Sequence, residues 1–229
     1  MGKFLFTLIV ALSNQAHAFE LPAKLEKVVG KTFSQPGPNC FAAALYGSDV
    51  YDSFRGVSEN EFAEVLKAAC RKVDDPKMGD VGVYSSEGFG FIHAFVYLDK
   101  DAAFEKQGVD YVGKTPIRIQ SQDSIDYIHI ASPECRRWGD ERCHNQKAFY
   151  RCGSVSLNSK FELTLNKVNA LLEKALESEV VEVEIQLELN RIYWTLGDDA
   201  ISDLEKAVFE SVQKQMAFFK FDTNKMLIY

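Results

Sequence analysis

The pattern of apolar residues changes character twice along this chain, and that succession limits it to one class of fold. Ser58-Glu59-Asn60-Glu61 has the spacing of a capping box, and behind it Phe62, Val65, Leu66 and Ala69 recur on one helical face as far as Cys70. Asp74-Asp75-Pro76 breaks that helix. Short β-rich runs follow at residues 81–84, 91–98, 102–105, 117–119, 127–130 and 148–151. From Phe161 the chain turns to long amphipathic runs, with Leu165, Val168, Leu172 and Leu176 at helical spacing, then Ile201, Leu204, Val208 and Val212. Helices, an antiparallel meander, then helices again make an α+β layout.

One stretch of the C-terminal part reads two ways. Val181, Val183, Ile185, Leu187 and Leu189 alternate with Glu182, Glu184, Gln186, Glu188 and Asn190, which is strand periodicity. The Glu-rich composition, and Leu196-Gly197 as a stop signal, favour helix. Residues 161–229 are therefore expected to form a mainly helical extension, following a unit at residues 19–160 with a cysteine-containing insertion at 131–152.

The first 18 residues read as an export signal. Lys3 precedes an apolar run from Phe4 to Leu12, and the polar segment that follows ends in Ala16-His17-Ala18, with small residues where signal peptidase needs them. Cleavage after Ala18 would start the mature protein at Phe19, in the periplasm or outside the cell. The run is too short to span a membrane, which takes about 20 apolar residues, and no later segment comes close. The full chain carries a net charge of −7, and losing Lys3 makes it more negative. Neither that charge nor any dense Lys/Arg block with interleaved aromatics suits nucleic acid.

Five cysteines in an exported chain permit disulfides and leave an odd thiol. Cys135, Cys143 and Cys152 cluster in a polar stretch with little apolar content, so at least one bridge is expected among them. A zinc site from Cys135, Cys143, His144 and Cys152 is the weaker alternative, since the usual close cysteine pairs are missing. Cys70 is either a buried thiol at a helix end or the partner of one of the three. No metal or organic cofactor is implied.

Cys40 is the candidate free thiol, and its setting is reactive. Gln35-Pro36-Gly37-Pro38 holds the backbone non-helical, Asn39 is a good N-cap, and Phe41-Ala42-Ala43-Ala44-Leu45 forms a helix, so Cys40 becomes its first residue. The positive end of a helix dipole favours thiolate. Gly79-Asp80 opens one apolar run, and His93 stands early in the next, where alternation places it on one strand face with Phe95 and Tyr97, looking towards a helix packed across that face. A thiolate nucleophile followed by a strand-borne imidazole is the outline of a cysteine hydrolase. Gln35 is a candidate oxyanion donor. His129, in the 127–130 run, reads as a strand histidine, with a substitute orienting role as the alternative. Phe89, Phe91, Phe95 and Tyr97 could line a groove or fill the core.

The segments GPNCFAAAL, MGDVGVY, IHAFVYL and AFEK together resemble the NlpC-like cell-wall cysteine peptidases, a branch of the papain-like fold. The resemblance spans about Gln35 to Ile119. It implies a papain-like core, Cys40 as nucleophile, His93 as base, and Gly79-Asp80 as the pair before the family's strand. A third polar residue, commonly His, Asn or Gln, follows the base by about a dozen residues, and Glu105 falls there as the group that orients His93. Asn39 and Phe41 replace the family's usual Asp and Ser around the cysteine, marking a divergent branch. The implied activity is hydrolysis of an amide in cell-wall or related peptide, through a thioester. The alternatives from the residues themselves are an acyl or amidotransferase on the same fold, and a secreted, disulfide-stabilised binding or structural protein.

Overall fold

The computed structural model describes residues 20–33, 37–87, 89–107, 115–130, 145–177 and 183–218. It is an α+β structure built on a six-stranded antiparallel sheet. The helices are α1 (Ala23–Glu26), α2 (Cys40–Gly47), α3 (Glu59–Ala69), α4 (Gln122–His129), α5 (Ser159–Glu177), α6 (Val183–Asp199) and α7 (Asp203–Phe218). The strands are β1 (Cys70–Val73), β2 (Val81–Ser86), β3 (Gly90–Tyr97), β4 (Ala102–Lys106), β5 (Ile117–Ser121) and β6 (Gln146–Cys152).

The strand order is β1-β6-β2-β3-β4-β5. Strands β2 to β5 form the expected meander, but β6 returns to the other side of β2 and takes β1 as its outer neighbour. β1 continues directly from α3, where sequence periodicity ended without a strand.

Two expectations need correction. Residues 127–130 are not a strand, because Ser121 caps a helix there. Its hydroxyl accepts from the Ser124 amide at 3.3 Å, and Gln122 and Ile125 turn inward while Tyr127 stays exposed. The 181–190 alternation resolves as helix from Val183, yet Gly197 does not stop it. α6 runs on to Asp199, and a Cβ at Gly197 would stand 2.8 Å from the Phe209 ring. Phe209 belongs to α7 and fills the space a side chain at Gly197 would take, so the missing side chain serves packing rather than termination.

The C-terminal helices share the main core with the N-terminal part. One buried cluster runs from Cys40, Phe41 and Leu45 through Phe62 and Val65 to Phe161, Val168, Leu196 and Val208. Backbone amides of Gly56 and Ser58 donate to the side chains of Gln215 and Ser211 on α7, at 3.1 and 3.0 Å. Beside this seam Arg55 and Glu61 form a fully buried ion pair.

Two contacts fix the cysteine helix against the start of β3. Phe41 stacks on Phe62 with ring centres 4.6 Å apart, and Phe62 meets the edge of Phe91 at 5.6 Å. Glu59, at the start of α3, accepts from the Phe91 amide at 2.8 Å. Gly90 sits just before it at φ 72°, and a Cβ there would strike the Glu59 carboxylate. The β2–β3 hairpin is thereby pinned to α3 two residues ahead of His93.

Candidate active site

Helix α2 begins at Cys40. The Asn39 side chain accepts from the Ala42 amide at 3.0 Å and donates to the Val57 carbonyl at 2.6 Å, tying the cap to the chain before α3. The Ala43 amide is bonded to the Asn39 carbonyl. Among the described residues the amides of Cys40 and Phe41 have no such partner and form the open end of the helix. Every residue from Cys40 to Leu45 is buried.

β3 brings His93 to this thiol by a route that simple alternation misses. α2 packs on the face carrying Ala94 and Val96, not on the face of His93. The opposite face carries Phe95 with Tyr84, Ala103 and Ile125. Two irregularities set His93 apart. In the β2–β3 ladder Tyr84 opposes His93 but Ser85 opposes Phe91, so Ile92 is an extra residue that re-aims the chain. The β3–β4 ladder is registered only at Val96–Phe104 and Tyr97–Ala103, so it is not continued alongside His93. The Cys40 thiol is near enough to the imidazole to act on its protonation there.

His93 Nε2 donates to Glu105 Oε2 at 2.9 Å, leaving Nδ1 as the nitrogen for Cys40. The other carboxylate oxygen of Glu105 accepts from Arg118 Nε at 2.9 Å and Nη2 at 2.7 Å. All three expected residues therefore meet, and all are buried: Cys40 is 6 % exposed, His93 1 % and Glu105 1 %.

This burial sets a clear charge pattern. Burial alone would pull His93 down, but its interactions with Cys40 and Glu105, and the charges on both, outweigh it and raise His93 to about 9. Burial pushes the Glu105 carboxyl up, yet His93 and Arg118 hold it below its ordinary range. The site thus favours an imidazolium between sulfur and carboxylate.

His129 is the participant that strand reasoning placed wrongly. As the last residue of α4 it lies flat on His93, with ring centres 4.1 Å apart and planes 8° from parallel. Tyr84 lies beside the pair, 5.1 Å from the His129 ring. Burial first, and then the His93 charge, push His129 down to about 4. Two imidazolium charges at this spacing would repel by about 4 kcal/mol at an effective dielectric of roughly 20, so the pair carries one charge, on His93. Asp126 anchors α4 by accepting from Lys147 Nζ at 2.8 Å and from the Tyr84 hydroxyl.

Other candidates go elsewhere. Asp80 accepts from Arg151 Nε at 2.9 Å, from Arg151 Nη2 at 2.7 Å and from the Lys77 amide at 2.7 Å, so it joins the start of β2 to β6. Phe91 and Phe95 are packing residues and Phe89 remains 79 % exposed, so the four aromatics do not line one groove. Cys152 bonds to Cys70 rather than within its own cluster. Gln35, Cys135, Cys143 and His144 lie outside the described residues, as do the export signal and its cleavage point. Arg118 went unrecognised because its signal is its position directly across the β4–β5 ladder from Glu105. No helix among the described residues is long and apolar enough to cross a membrane.

Comparison with family models, with curated proteins and with solved structures finds no match for this chain.

Proposed function

We propose that the chain is an exported cysteine hydrolase that cleaves an amide bond in cell-wall peptide through a thioester on Cys40. The observation that carries this reading is the buried series Cys40, His93 and Glu105, in which a thiol at a helix start shares an imidazole with an ionised carboxylate. The order of these groups supports a papain-like, NlpC-like reading: the cysteine opens a helix, the histidine lies on a following strand, and the orienting residue lies on the next one. The Cys70–Cys152 disulfide agrees with an oxidising compartment, as does an N-terminus with the features of an export signal ending at Ala18.

The Cys40 thiolate attacks the amide carbonyl, forming the S–C bond and pushing charge onto oxygen. The amides of Cys40 and Phe41, in the first turn of α2, are the donors offered to that oxyanion. The His93 imidazolium passes its proton to the departing amine as the C–N bond breaks, leaving a thioester and a neutral imidazole. Water then loses a proton to His93, attacks the thioester carbonyl and displaces the thiolate, which restores the starting state. Glu105 keeps the ring oriented and stabilises its positive form throughout.

Incubation of the exported protein with purified peptidoglycan and with small cell-wall peptides, followed by mass analysis of the products, tests the reading. New amine and carboxyl ends that disappear with Cys40→Ala are expected. Intact substrate in every case, with Cys40 no more reactive than an ordinary thiol, would overturn it.

A further inference from the structure

The trio does not account for His129. A histidine at the C-terminus of a short helix could face water, but this one lies within 8° of parallel to the His93 ring at 4.1 Å, with Tyr84 beside the pair. Tyr84 itself lies 6.2 Å from His93, so the three rings form one block. The helix that delivers His129 is held on several sides. Lys147 of β6 donates to both Asp126 and Gln122, the Tyr84 hydroxyl of β2 donates to Asp126, and Gln122 donates to the Asp99 carbonyl. Asn145 donates to the carbonyl of His129 itself. The Nε2 atom of His129 is buried and has no hydrogen-bond partner among the described residues. Its ring is thus used for its flat face rather than for a hydrogen bond at that atom.

Resting on the hydrolase reading above, we propose that His129 is a positioning residue, whose planar ring clamps the face of His93 and holds the imidazole in the plane that serves both Cys40 and Glu105. A ring held by a hydrogen bond at one nitrogen can still rock about it, and a flat neighbour on its face opposes that motion. An uncharged neighbour also suits the task. The ionisable groups acting on His129 are His93 from β3, Glu105 from β4 and Asp126 from its own helix, and burial with His93 keeps it unprotonated until about pH 4.

The test is the rate at which iodoacetamide alkylates Cys40, followed by peptide mass mapping between pH 5 and 9, in the wild type, His129→Phe and His129→Leu. Phenylalanine keeps a flat ring and discards the nitrogens, whereas leucine fills space without a plane. Wild-type Cys40 should react readily below neutral pH. His129→Phe should stay within about twofold of it, and His129→Leu should be about tenfold slower at pH 6, because a mispositioned imidazole activates the sulfur less well. Should His129→Leu fail to unfold cooperatively, His129→Phe decides alone. Equal rates for Leu and Phe variants, or a Phe variant as slow as leucine, would overturn the positioning role while leaving the hydrolase reading intact. A wild-type Cys40 that is unreactive below neutral pH would overturn both.

Discussion

Arg118 stands directly across the β4–β5 ladder from Glu105 and places two guanidinium nitrogens on one carboxylate oxygen, while His93 occupies the other. The carboxylate is therefore held ionised from both ends in a buried setting, and it can orient His93 without taking its proton.

Glu105→Gln should cost turnover on the order of 10² to 10⁴, by analogy with replacement of the acidic member of other triads. The amide still accepts from His93 but brings no charge, so His93 should also titrate below about 9. Arg118→Met should cost less, about 10- to 100-fold, the value of a hydrogen bond to a charged group. Steady-state kinetics with a histidine titration by NMR would check both. A silent Glu105→Gln would assign the orienting role to another residue.

Catalysis should fail on the alkaline side as His93 loses its proton. The imidazolium is the acid that releases the amine, and it persists up to about pH 9. The pH profile of kcat/KM for an amide should fall through that region. An ester or thioester substrate, whose leaving group needs less protonation, should show a shallower fall. An alkaline limb near 6.5, the ordinary histidine value, would mean that the pair with Cys40 and Glu105 does not form in solution.

Cys70 and Cys152 are register partners in the β1–β6 pair, and their bond closes an 82-residue separation at the outer edge of the sheet. Replacing both by alanine should lower stability by about 2–4 kcal/mol in urea unfolding. Peptide mapping without reduction should recover the Cys70–Cys152 link. A link from Cys152 to Cys135 or Cys143 would overturn the pairing of β1 with β6.

What was legible in the sequence was local. The N-caps at Asn39 and Ser58 each lie within a few residues and both form as read, but the return half of the capping box does not, because Glu61 turns to Arg55 and the Ser58 amide donates to Ser211. What was illegible depends on strand register. Nothing near Arg118 shows that it will face Glu105, and nothing near Cys70 shows that β6 will return beside β1. His93 meets Glu105 as expected, but its face was misread, because the extra residue at Ile92 and the short β3–β4 ladder are properties of paired strands. His129 was misread for a local reason. The apolar Tyr127-Ile128-His129-Ile130 looks like a strand unless Ser121 is recognised as a helix cap.

The stacked histidines should give stability a maximum near pH 6.5, because their shifts have opposite signs. His93 is raised in the folded state, so its contribution is fully present below about 6.5 and is lost as pH rises through about 9. His129 is depressed to about 4, so the unfolded chain takes up its proton first, and stability falls as pH drops from about 6.5 to 4. Glu105, held below its ordinary value, adds to the loss on the acid side. Urea midpoints measured across pH 4 to 10 should trace this shape. His93→Gln should flatten the alkaline slope and leave the acid slope, whereas His129→Phe should reduce the acid slope and leave the alkaline one. Both variants flattening the same side would show that the two rings do not divide the charge as their stacking requires.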